Sequence, residues 1–209
     1  MGRAQTKEEP MRRQVMAFAL AAGTVAALLG PAVAAHAQSG GGCGLSGNAK
    51  FKPGLTNDEK QFTYSFGGSL QNCQSNVNGA PTSGKVSAGQ IIKINGVRYQ
   101  EPIPKGDGTC GSGTTTGVAI TRWGNGSYTV ISYNTQSAAA AVLLQGQVEP
   151  SVRLTSVSKP ATYYTVKTKT YSGMQVLGAL TFAPSDPTAC SGSGVTSAAI
   201  NGFVGIGSQ

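Results

Sequence analysis

Short runs of strand-like alternation, each closed off by glycine, proline or asparagine, constrain this chain more than any other feature. Phe62, Tyr64 and Phe66 alternate with Thr63 and Ser65, which puts three aromatic rings on one face of an extended segment. Ala49, Phe51 and Pro53 do the same within 48–54. Comparable runs at 84–94, 97–101, 115–123, 128–132, 162–171, 178–183 and 195–206 predict further strands. Ala138 to Leu144 has the propensity of a short helix, but its β-branched flanks and the continuation Gln145-Gly146-Gln147-Val148 favour a strand over 139–148. Trp123-Gly124-Asn125-Gly126-Ser127 predicts a hairpin, because Asn-Gly tolerates the positive φ angles of a type I′ turn. The sequon Asn125-Gly126-Ser127 is explained by that turn.

Nine or ten short strands without a helical period imply an all-β protein. The expected fold is a single antiparallel β-sandwich, or a barrel-like closure of the same strands. The Cys…Trp…Cys arrangement of antibody domains is missing, so immunoglobulin topology is not implied.

Four cysteines, Cys43, Cys73, Cys110 and Cys190, make an even set. If the strands at 48–54 and 61–73 are antiparallel neighbours, the start of one meets the end of the other, which sets Cys43 beside Cys73. Cys110 and Cys190 sit in matching Gly/Ser-flanked loops, each just before a strand. The expected disulfides are therefore Cys43–Cys73 and Cys110–Cys190.

The N-terminus sets the expected compartment. Arg12 and Arg13 precede an apolar run from Val15 to Leu29, followed by Gly30-Pro31 and Ala35-His36-Ala37. This is the layout of a secretory signal peptide, with cleavage expected after Ala37. The apolar run is short of the roughly 20 residues a membrane span needs. The flanks of Arg12-Arg13 fit a Sec signal better than a twin-arginine one. Gly40-Gly41-Gly42 stands where a lipoprotein signal would need an apolar residue before Cys43. The expected organisation is a signal peptide over 1–37, a flexible stretch over 38–47 with the three glycines as spacer, and a β-domain over 48–209. The protein is expected to be secreted, extracellular or cell-wall associated, with no membrane span after cleavage.

Cleavage removes His36, the one histidine, and disulfides consume the thiols. No imidazole or thiol then remains for catalysis or metal binding, and neither a metal nor a cofactor is expected. Cleavage also leaves 12 of the 16 basic and 6 of the 8 acidic residues, a net charge near +6. The charge is dispersed, and Lys50 with Lys52 and Lys167 with Lys169 read as solvated strand positions. Without a basic patch interleaved with aromatics, nucleic acid is not an expected partner.

The carboxylates after the cut are Asp58, Glu59, Glu101, Asp107, Glu149 and Asp186, all read as turn or strand-end residues. A glycan hydrolase would need two of them about 5 to 9.5 Å apart across a cleft. Binding is the stronger expectation. Trp123, Tyr128 and Tyr164 are the candidate binding residues, because an exposed aromatic stacks on sugar rings or anchors a protein. Of the adjacent pair Tyr163 and Tyr164, one should be exposed, and Tyr133 should be core.

The stretches Asn48-Ala49-Lys50-Phe51-Lys52-Pro53-Gly54-Leu55, Tyr64-Ser65-Phe66-Gly67-Gly68, Asn72-Cys73 and Leu180-Thr181-Phe182-Ala183-Pro184 resemble a group of small exported actinobacterial proteins. The resemblance implies export and an all-β fold, and no activity. The functional expectation is a secreted non-enzymatic protein of the cell envelope or extracellular space, with a binding or structural role toward cell-wall polysaccharide or another secreted protein. The alternative is an extracellular carboxylate-dependent glycan hydrolase.

Overall fold

The computed structural model describes residues 40–207, and the predicted signal peptide lies outside them. The described residues form thirteen strands and one 3-10 turn, Pro187–Ser191. The all-β expectation holds, and the main sheet closes on itself as a barrel.

The barrel wall is an antiparallel meander. It begins with β1 (Gly40–Leu55), β2 (Lys60–Ser75) and β3 (Gly84–Ala88). It continues with β7 (Ser112–Trp123), β8 (Tyr128–Ala138), β9 (Ala141–Glu149), β12 (Gln175–Pro184) and β13 (Val195–Gly207). Pairing of β13 with β1, from Gly40↔Gly207 to Lys50↔Ser197, closes the ring. One place in the wall is shared. Between β2 and β7, β3 occupies one half and β6 (Lys105–Gly108) the other. The wall therefore has eight strand positions, a size whose interior is filled by side chains or holds one small ligand.

The chain leaves the wall twice, and the excursions meet. β4 (Ile91–Ile94) and β5 (Val97–Gln100) form a hairpin, and β10 (Ser151–Ser156) and β11 (Tyr163–Lys167) form another. They join edge to edge through β5 and β10 into a second, four-stranded sheet. Ile94, Tyr99, Leu154 and Val166 of this sheet pack on Ile120 and Val130, which point outward from β7 and β8. The halves of these two wall strands nearest their hairpin are thus buried on both faces. The barrel interior holds the larger core, including Leu45, Leu70, Ile131, Val142 and Leu180.

Both expected disulfides are present. Cys43–Cys73 ties β1 to β2 at one end of the barrel. Cys110–Cys190 ties the β6–β7 loop to the 3-10 turn at the other, beside an aromatic cluster of Phe51, Phe62, Tyr64 and Phe182.

Three local expectations need correction. Residues 40–47 are not a flexible spacer but the first half of β1. Cys43 and Leu45 are buried there. The Gly42 backbone lies under the Phe203 ring, where a Cβ would come within 2.1 Å of the ring and displace it. At the Trp123–Ser127 hairpin, Gly126 takes a positive φ but Asn125 does not. Gly126 N–H donates to the Trp123 carbonyl and Trp123 N–H to the Ser127 carbonyl. That is a type I turn followed by a left-handed glycine rather than type I′. The turn with both central residues at positive φ is Asn95-Gly96, between β4 and β5. Finally, the strand expected over 139–148 forms as β9 but begins two residues later, because Ala139 and Ala140 form the tight turn between β8 and β9.

Candidate functional site

The expected aromatic binding face does not form. Trp123 is only 4 % exposed. Its indole Nε1–H donates to Thr129 Oγ1 at 2.8 Å, and its ring packs edge-on against Tyr171. It plugs the Cys43–Cys73 end of the barrel. Tyr128 is half-buried against the core under the second sheet, and Tyr164 is half-buried against Tyr99, ring centroids 5.6 Å apart. Parity does expose one of the adjacent tyrosines, but it is Tyr163, 58 % exposed, with the Arg153 guanidinium 3.8 Å over its ring. One solvated tyrosine under an arginine makes no strip. Tyr133 is core, as expected.

The carboxylate reading also changes at one position. Glu101 is 1 % exposed, the one buried carboxylate among the described residues. Ser87 Oγ donates to Oε1 at 2.6 Å and the Gln90 N–H donates to Oε2 at 2.9 Å. Burial pushes its pKa up, and these two donors pull it part of the way back. With both oxygens taken by the corner between β3 and β4, Glu101 acts as a clamp on that corner. Parity carries the signal, since Glu101 shares the inward face of Tyr99 two residues earlier. Among the other carboxylates, Glu149 accepts from Ser132 and Asp186 caps the 3-10 turn through Thr188. Among the described residues, no three His, Cys, Asp or Glu side chains converge to hold a metal.

What the fold does build is an internal cavity of about 150 Å³. Its lining is chiefly aliphatic and aromatic and contains no Asp, Glu, Lys or Arg. Inward-facing residues near the Cys110–Cys190 end, such as Thr115, Thr135 and Leu144, are half-exposed, so the cavity approaches solvent there. Trp123 and Tyr171 close the opposite end, where a second space of about 20 Å³ adjoins the Cys43–Cys73 bridge.

Apart from Thr109 and Ser137, whose hydroxyls donate to the Ser112 and Gly113 carbonyls, two polar features interrupt the apolar lining. The first is a chain of hydroxyls. Tyr64 and Tyr133 meet at 2.6 Å, Tyr64 and Thr115 at 3.0 Å, and Thr115 and Thr135 at 2.8 Å. Burial raises both tyrosine pKa values, so both phenols stay neutral, each oxygen bonded to a neighbour. The second is Thr121 on β7. It is fully buried, borders both spaces, and its Oγ1 has no hydrogen-bond partner among the described residues. An unmade bond at a buried hydroxyl costs about 1–3 kcal/mol. Neither feature can be read from the sequence without knowing how the barrel closes. The chain matches no protein-family model, no curated protein and no solved structure.

Proposed function

We propose that this is a secreted, non-enzymatic protein of the cell envelope or extracellular space that holds a small apolar molecule inside its barrel. The cavity supports this reading. Apolar cavities of about 150 Å³ take up ring-sized molecules such as benzene because water gains little by filling them. The paired disulfides suit an oxidising compartment, and no helix among the described residues is long and apolar enough to cross a membrane. Leu45, Ile131 and Leu180 face inward, while the outer face of the wall is mixed, with Ser46, Asn134 and Thr181 beside the exposed Leu143, Leu177 and Phe203.

Benzene is the direct probe. Added to methyl-labelled protein, it should shift the resonances of Ile131, Val142 and Leu180 and leave those of Val97 and Val157, which are on the surface, in place. If no cavity methyl responds up to the solubility limit, the barrel is filled by its own side chains and the reading fails. Export is checked separately by intact mass of protein from culture medium, expected to begin at Gln38.

A further inference from the structure

We infer that the molecule held in the barrel is uncharged, about the size of a single ring, and carries one hydroxyl or carbonyl group that bonds Thr121 at the closed end. This rests on the cavity reading above and narrows it to a chemical class and an orientation.

Size comes first. A cavity of about 150 Å³ accepts a ring of about six heavy atoms with little to spare. Charge follows from the lining. With no ionisable group other than tyrosine around the space, an ion would lose its hydration with nothing to replace it. A carboxylate, an ammonium ion or a phosphate is therefore not the occupant.

Orientation follows from the unequal state of the two polar features. The Tyr64, Tyr133, Thr115 and Thr135 hydroxyls already bond one another. Thr121 Oγ1 bonds nothing among the described residues. Its neighbours do not compete for it, because Trp123 Nε1 donates to Thr129, and Thr129 turns to Thr170. Thr121 lies four residues along β7 from Gly117, the register partner of Tyr133, which is about 13 Å in an extended strand. A ring-sized ligand does not reach both features. Its polar atom goes to Thr121, where a hydroxyl can donate or accept, and its apolar body fills the space toward Leu45 and Ile131.

Phenol and benzene decide it. Both are titrated into the folded protein and into Thr121→Val, with methyl resonances as readout. In the wild type, phenol should bind more tightly relative to benzene than it does in the variant by about fivefold or more, the effect of one buried hydrogen bond. Benzene should bind the variant at least as well. Thr121→Ser, which keeps the hydroxyl, should keep the phenol preference. Phenol ring protons should also show a nuclear Overhauser effect to the Thr121 methyl in the wild type, a result that stands even if the valine variant does not fold. An unchanged phenol-to-benzene ratio across the variants, or no contact with Thr121, overturns the inference while benzene binding keeps the cavity reading. Failure of both probes removes both.

Discussion

The phenol oxygens of Tyr64 and Tyr133 lie 2.6 Å apart inside the barrel, although around the wall β7 and the place shared by β3 and β6 separate their strands. The pair is asymmetric. Tyr64 also bonds Thr115, whereas the hydroxyl of Tyr133 bonds only Tyr64 among the described residues. Tyr64→Phe therefore strands the Tyr133 hydroxyl, while Tyr133→Phe leaves Tyr64 with a partner. The first should cost about 1–3 kcal/mol and the second clearly less, with the double variant below the sum. Urea unfolding of the three variants checks this. Equal losses would mean that the hydroxyls do not depend on one another.

Trp123→Ala should destabilise the protein by about 3–5 kcal/mol, as large truncations in a core do. Tyr163→Ala, at the exposed ring under Arg153, should stay within about 0.5 kcal/mol of wild type. Chemical denaturation measures both. A mild Trp123→Ala would show that the plug at the closed end is not packed.

Glu101 sets a pH dependence with a definite sign. Burial raises its pKa in the folded protein. The folded state then holds the proton to higher pH than the unfolded chain, whose glutamate titrates near 4.3. The stabilisation from the protonated form is complete below that unfolded value and is lost as pH rises through the raised folded value. Melting temperatures taken from pH 3.5 upward should show this decline in the wild type and a flatter profile in Glu101→Gln. Parallel profiles would assign the decline to other groups.

The two disulfides close loops of different length, with sequence separations of 30 and 80. On the chain-entropy model they contribute about 3.7 and about 4.5 kcal/mol. Replacing Cys110 and Cys190 with serine should therefore lower stability more than replacing Cys43 and Cys73, by urea midpoint. The reverse order would point to contacts around the shorter loop rather than to chain entropy.

Much of the wall was legible because alternation is local. The segment Phe62-Thr63-Tyr64-Ser65-Phe66 has one wet face, so its parity reads directly, and the register it implies brings Cys43 to Cys73. β7 and β8 were not legible in this way. With the second sheet outside and the barrel core inside, Val118 and Ile120 face one core while Ala119, Thr121 and Trp123 face the other. A strand buried on both faces loses its alternation. Trp123 then looks like a surface residue beside a turn. The run 84–94 hid a corner at Gly89, whose φ of 68° breaks it into β3 and β4. Nothing local marked β6 or β10, which besides their hairpin partners β7 and β11 are held by β2 and β5, distant in sequence. The cavity and Thr121 depend on closure itself, a property of no single segment.

Closure by β13 onto β1 also dictates a timetable. A chain emerging N-terminus first presents β1 and β2 early, and the Cys43–Cys73 bridge can form while most of the protein is still unmade. The other edge of β1 has no neighbour until 195–207 arrives, so it waits as an open, pairable edge through most of synthesis. Contacts of such long sequence separation make for slow folding. Of the thirteen strands, the last to emerge is thus the one that turns an open sheet into a closed barrel.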